Sequence, residues 1–222
     1  MKKLIHVLTC LGAAAAFAPA VTLTATNVGA FNSGNNSSSN FITGPLGFNH
    51  FMVFNLASQS GTATAATLTL TQGGSSSINP NFLAWAATYT VWDASTSIAS
   101  LTGGGNVAGA YSDLGGGASF GTGAYSSSGT TFTFVLNAAG LAAINARVGV
   151  GSLAFGGSLT NPTNGGNYAF DYLPTGVSLP ALDVTFSGGG APPPPPPTVP
   201  EPSTLALMSA ALLGAGALRR RK

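Results

Sequence analysis

Apolar and polar residues alternate with a period of two along several stretches of the chain. In TLTLT, Leu68 and Leu70 fall on one side and Thr67, Thr69 and Thr71 on the other. In TFTFVL, Phe132, Phe134 and Leu136 oppose Thr131 and Thr133. In ALDVTF, Leu182, Val184 and Phe186 oppose Asp183 and Thr185. Successive side chains of a strand point to opposite faces, so each stretch predicts a strand with one buried face. FNHFMVFNL breaks the alternation. There Phe48, Met52, Phe54 and Leu56 share one face while Phe51 and Val53 occupy the other. A strand apolar on both faces is covered twice, which predicts a central position. Further strands are expected at 21–26, 86–92, 149–155 and 168–172, between Gly-rich turns such as TGGGN, LGGGA and SGGG. Many short strands separated by turn signals predict an all-β fold, a β-sandwich or jelly roll.

One segment departs from period two. LNAAGLAAINARVG offers Asn137 as an N-cap, then Ala-rich sequence, then Gly149 beyond Arg147. It predicts a single short helix over 138–146, crossing between strands. Gly140 inside it costs about 1 kcal/mol relative to Ala.

Charge changes the picture by its scarcity. Only 5% of residues are charged, against about 25% in typical soluble proteins. Between residues 21 and 198, Arg147 stands against Asp93, Asp113, Asp171 and Asp183, a net of −3. This excludes nucleic acid as a partner, because that needs clustered Lys and Arg. The remaining cations sit at the two ends. At the first, MKK precedes the apolar LIHVLTCLGAAAAF and the small-x-small site Ala18-Pro19-Ala20. Residues 1–20 thus predict a signal peptide, exported by the Sec machinery and cut by signal peptidase after Ala20. A cut after Ala18 would leave Pro19 first, which that peptidase tolerates poorly. A lipoprotein reading on Cys10 is disfavoured by Leu8 and Thr9 before it, and a retained anchor by the short apolar run. Cys10 is the only cysteine, so the mature chain is expected to lack disulfides, thiolates and Cys-based metal sites.

Catalytic machinery is not expected. His50 alternates with Phe48 and Met52 in the doubly buried strand, which suits a structural side chain better than a general base. No nucleophile-elbow spacing such as G-x-S-x-G is expected. The aspartates are scattered, with Asp93 and Asp113 placed in turns, where capping is the simpler role. Calcium is the one cofactor left open, through Asp93 or Asp113 with backbone carbonyls. Binding has a better candidate. Thr88 and Thr90 oppose Tyr89 and Val91, with Trp85 on the side of Tyr89, and Trp92 joins the threonine face if the strand runs without a bulge. A ring beside hydroxyls suits a sugar, although aromatics are also common as plain strand packing. The T-x-T units lack a fixed period, so no solenoid is implied.

The second charged end follows a change of composition. Residues 188–199 form a Gly/Pro linker, flexible at Gly188–Gly190 and stiffened to polyproline II by Pro192–Pro197. Residues 200–222 then carry Pro200, Glu201 and Pro202, an apolar run containing Leu205, Leu207, Leu212, Leu213 and Leu218, and a basic stop of Arg219, Arg220, Arg221 and Lys222. The run from 205 to 218 spans about 21 Å as a helix, short of a ~30 Å hydrocarbon core. It predicts a single, marginal transmembrane helix with its basic end cytoplasmic.

Two resemblances follow from these residues. VPEPSTLALMSAALLGAGALRRRK resembles the PEP-CTERM sorting signal of Gram-negative bacteria, with its tripeptide, apolar helix and terminal Arg cluster in order. The resemblance implies processing by an exosortase, an inner-membrane transpeptidase-like enzyme, in bacteria that make extracellular polysaccharide. Such tails also carry the label of ice-binding protein C-terminal domain, which describes where they occur. Separately, FMVFNLASQSGTATAATLTL, TYTVWDAST, SDLGGG and LNAAGLAAIN resemble a recurring extracellular bacterial β-domain, with Asn55 where Asp is common. That resemblance covers residues 48–155 and implies a sandwich over about two-thirds of the mature chain; the sandwich domain is expected to span residues 21–187. Together they lead to an expectation of an exported, non-enzymatic surface or biofilm-matrix protein associated with polysaccharide. The alternatives are a carbohydrate-binding or calcium-dependent adhesion module and, below that, a secreted hydrolase.

Overall fold

The computed structural model describes residues 20–39, 41–43, 47–72, 86–126, 128, 130–163, 169–170 and 178–188. The chain divides into two units, Met1–Gly189 and Gly190–Lys222, and every described residue lies in the first. The signal segment up to residue 19, Trp85, Asp171 and the sorting tail lie outside the described residues.

Ten strands and three short helices follow in order among the described residues: β1 (Ala20–Thr24), β2 (Asn27–Asn32), β3 (Ser37–Ser38), β4 (Phe48–Asn55), β5 (Thr62–Thr71), β6 (Ala86–Asp93), α1 (Ile98–Gly103), α2 (Ala110–Leu114), β7 (Ser119–Ser126), β8 (Thr131–Val135), α3 (Ala138–Asn145), β9 (Ser152–Thr160) and β10 (Ala181–Ser187). They build two antiparallel sheets. One has the order β1-β10-β5-β8, the other β3-β2-β4-β9-β6-β7. Eight of the strands nest as antiparallel pairs: β1 with β10, β4 with β9, β5 with β8, β6 with β7. The pairs alternate between the sheets, as if one long hairpin had been rolled up, and β2–β3 extend one edge.

The sheets share one core. Leu68, Leu70, Phe132, Phe134, Leu182 and Val184 of the four-stranded sheet meet Met52, Phe54, Tyr89, Val91 and Phe155 of the other. Tyr89 and Phe134 touch across the gap with ring centroids 4.6 Å apart. The inward residues of β5, β8 and β10 are those assigned by alternation. β4 is buried on both faces, as its pattern predicts. Its second face meets a smaller core made by Phe31, Phe51, Val53, Leu101, Ala110, Leu114 and Ala154, which α1 and α2 close from outside.

Several expectations need correction. The single helix becomes three, because TGGGN and LGGGA end α1 and α2 rather than joining strands directly. The expected 21–26 strand stops at Thr24, and a new strand begins at Asn27. Ala20, assigned to the end of the signal peptide, opens β1 opposite Thr185. The expected 149–155 strand starts later and runs longer, at Ser152–Thr160. Residues 146–150 are instead a turn, with Gly149 at φ 71°. Of the expected 168–172 strand, only Ala169 and Phe170 are described; Ala169 bridges Thr43. Helix α3 does form with Asn137 as its cap, accepting from the Gly140 amide at 3.0 Å. Gly140 is explained by packing: a Cβ there would lie 3.1 Å from the Cβ atoms of Leu136 and Phe120. Asn55 accepts from the Ala57 amide at 2.9 Å, the turn-closing role an Asp would also fill.

Candidate functional site

The threonine face of β6 forms as predicted. Tyr89 and Val91 point into the main core, so Thr88, Thr90 and Trp92 lie on the opposite face, where Thr88 is exposed, Trp92 half-buried, and Thr90 buried with its neighbour Ser158. A bulge is present: the register against β7 slips between Val91 and Trp92. Against β9 it runs unbroken, pairing Thr90 with Ser158 and Trp92 with Gly156, so Trp92 keeps its side. Cross-strand pairing sets Thr122, Thr90 and Ser158 in one row and Thr88 and Thr160 in the next. The Trp92 indole N–H donates to Ser158 Oγ at 2.8 Å. Trp92 is half-buried and its donor is occupied, so any contact with a ligand must use the ring face.

Beside this face lies a cleft of about 290 Å³ lined by residues 93–98, Arg147 and residues 152–154. Its wall is held by Asp113. One carboxylate oxygen accepts from the Ser95 amide and hydroxyl, the other from the Thr96 amide at 2.8 Å. Partial burial works to raise the Asp113 pKa, but the hydrogen bonds from Ser95 and Thr96 outweigh it and hold the carboxyl below its usual range. Neither aspartate sits in the expected turn: Asp93 ends β6 and Asp113 lies in α2, from which it still locks the 95–96 loop through these bonds. Asp183 accepts from the Thr22 hydroxyl. No group of three or more His, Cys, Asp or Glu gathers among the described residues, and both oxygens of Asp113 are already engaged, which leaves it a poor start for a calcium shell.

His50 is fully buried. It stacks on Phe41 with centroids 4.1 Å apart, and its Nε2 lies 2.6 Å from Tyr89 Oη. Nδ1 has no hydrogen-bond partner among the described residues. Burial lowers the His50 pKa to about 3 and raises that of Tyr89. A general base must reach its substrate, and His50 has no solvent-facing atom. Gly157 makes the pair possible, because a Cβ there would lie 2.1 Å from Tyr89 Oη and 2.2 Å from His50 Nε2.

GASFG at 117–121 does have the G-x-S-x-G spacing, contrary to expectation. Its context is reversed: Ser119 opens β7 after a helical turn, whereas the elbow needs a strand leading into a helix. The Ser119 carbonyl accepts from Asn137 Nδ2 at 2.8 Å, which ties β7 to the α3 cap.

Pattern reading placed Trp92 on the threonine side of β6 and named no role for Arg147, Ser95 or Ser152, which line the cleft. The available signal was that Arg147 is the only Lys or Arg between residues 21 and 198.

Residues 198–222 match the PEP-CTERM protein-sorting motif. The chain therefore carries a PEP-CTERM sorting motif containing Pro200, Glu201 and Pro202. The motif implies an exported protein of a Gram-negative bacterium, transiently anchored in the membrane, with an exosortase as processing partner. No curated protein matches the chain. Among the described residues no helix is long and apolar enough to cross a membrane; the expected span at 205–218 lies outside them.

Proposed function

We propose that the chain is a non-enzymatic surface or biofilm-matrix protein, sorted by an exosortase and held among extracellular polysaccharide. The sorting motif at 198–222 carries this reading. In it, residues 1–20 address the chain to Sec and signal peptidase. Leu205, Leu207, Leu212, Leu213 and Leu218 form the transient span, and Arg219–Lys222 hold its cytoplasmic end. The nested strand pairs are those of a jelly roll, an architecture that lectin domains also use. The body is weakly charged and rich in hydroxyls and amides, so it adds many hydrogen-bonding groups with little repulsion. Replacing Pro200-Glu201-Pro202 by alanines is expected to leave the exported domain folded while its tail stays uncut. Normal processing of that variant overturns the sorting role of the tripeptide. Retention of the exported protein on its producer's own polysaccharide tests the matrix role, and free passage sinks it.

A second reading, a carbohydrate-binding module, is favoured by the half-buried ring of Trp92 on the same sheet face as the exposed Thr88 and Thr160. Trp92→Ala is expected to weaken retention about tenfold, the scale of one lost ring contact. Unchanged binding removes Trp92 from the site.

A further inference from the structure

The cleft at the end of β6 holds a charge arrangement found nowhere else in the body of the chain. Arg147, the only Lys or Arg from 21 to 198, lines it, and so does Asp93. The Arg147 side chain is exposed, and neither group makes an ion pair or side-chain hydrogen bond among the described residues. Both are free to meet a ligand. The backbone carbonyl of Arg147 accepts from the Val150 and Gly151 amides at 3.0 and 3.1 Å, so the turn that bears the side chain is fixed. The opposite wall is fixed by Asp113 through Ser95 and Thr96. Ser152 contributes a further hydroxyl.

We propose that this cleft binds an acidic sugar residue, a uronic acid unit of an anionic extracellular polysaccharide. The choice of a sugar rests on the matrix reading above; the preference for an anion rests on Arg147. A guanidinium offers a fork of donors that matches a carboxylate with two parallel hydrogen bonds. Asp93 cannot accept that carboxylate beside it and so sets the polarity: the sugar's acid turns to Arg147, and its hydroxyls donate to Asp93. The volume of about 290 Å³ is at the small end of ligand sites, which run to ~1,000 Å³. It admits one ring rather than a chain segment.

The test titrates the exported protein with tri-galacturonate and with neutral malto-triose as probes, in parallel with retention on the producer's polysaccharide. Galacturonate binding is expected, weakening with salt, with no response to malto-triose. Arg147→Ala is expected to weaken it about tenfold or more at an unchanged Tm, since its side chain supports no described contact. Arg147→Lys is expected to fall between, retaining the charge without the fork. Asp93→Asn is expected to relax the polarity and change affinity less than Arg147→Ala. Equal galacturonate affinity in wild type and Arg147→Ala, or no galacturonate binding by the wild type, overturns the site. If producer polysaccharide is retained equally by wild type and Arg147→Ala, the matrix reading stands and the cleft falls. If galacturonate binding needs Arg147 but producer polysaccharide passes freely, the cleft stands and the matrix reading falls.

Discussion

The two sheets turn similar faces inward and treat their outward faces differently. On the four-stranded sheet, pairing aligns Thr22, Asp183, Thr67 and Val135 in one row and Thr24, Ala181, Thr69 and Thr133 in the next. These side chains stay partly or fully exposed, Val135 by 74%. On the six-stranded sheet, the segment between β6 and β7 folds into α1 and α2 and buries much of the outer face in a second core. The difference shows in the strands themselves. β5, β8 and β10 alternate, whereas β4 and β9 are buried along nearly their whole length. Two neighbouring glycines of β9 serve the two sides. Gly157 opens the inner side for His50 and Tyr89. Gly156 opens the outer side for α2, where a Cβ would lie 2.6 Å from the Leu114 carbonyl oxygen.

The largest expected effect comes from closing the inner side. In Gly157→Ala the new methyl overlaps Tyr89 Oη and His50 Nε2, so it must break their hydrogen bond and displace packed rings. Overpacking and a lost buried hydrogen bond together cost about 4 kcal/mol, readable as a fall in the urea midpoint. An unshifted midpoint refutes this inner packing. On the outer side, Leu114→Ala empties the centre of the second core and should cost about 3 kcal/mol. If that variant unfolds like the wild type, α1 and α2 merely rest on the sheet and the contrast between its faces is wrong.

Acid probes the inner side without mutation. The folded protein keeps His50 neutral down to a pKa of about 3, while the unfolded chain protonates it near 6.5. Protons therefore favour unfolding. The stability is fully present above pH 6.5 and is lost progressively as pH falls toward 3, by about 2 kcal/mol between pH 7 and pH 5. Thermal unfolding at those two values checks it, and His50→Gln should flatten the slope. Asp113 acts at lower pH with the same sign: its depressed pKa gives stability that is lost as pH falls below the ordinary Asp range. Asp113→Asn, measured at neutral pH, should cost about 1 kcal/mol by weakening its bonds to Ser95 and Thr96. A null result there would mean that the cleft wall is held by something else.

How much of this was legible depended on what each residue had to do. β5, β8 and β10 were readable because one of their faces stays near water, and β4 because Phe51 and Val53 broke its alternation. β7 was hidden by glycines where alternation needs side chains. A Cβ on Gly121 would lie 2.7 Å from the Val135 carbonyl oxygen, and one on Gly123 would lie 2.8 Å from the Phe134 ring. β2 was hidden likewise by Gly29, which sits under the ring of Phe51. At six and five residues, α1 and α2 are too short to show a 3.6-residue period. Of the site, the face of Trp92 could be read locally from the alternation of β6; Asp113 could not, because it lies in α2 and its partners Ser95 and Thr96 come from another segment. Arg147 could not, because its meaning comes from lining one cleft with Asp93, a residue distant in sequence.

The smallest expected effect falls on the open face. Thr133 is exposed on β8 and pairs with Thr69 across the sheet. Its side chain buries little apolar surface, so Thr133→Ala should change stability by no more than about 0.5 kcal/mol, in contrast to Leu114→Ala on the other face. Equilibrium unfolding of the two variants side by side makes the comparison. A cost for Thr133→Ala near that of a core truncation would mean that the threonine rows hold the sandwich together. A negligible cost means that the fold places no demand on the threonine rows, so their hydroxyls are not there to hold the sandwich together.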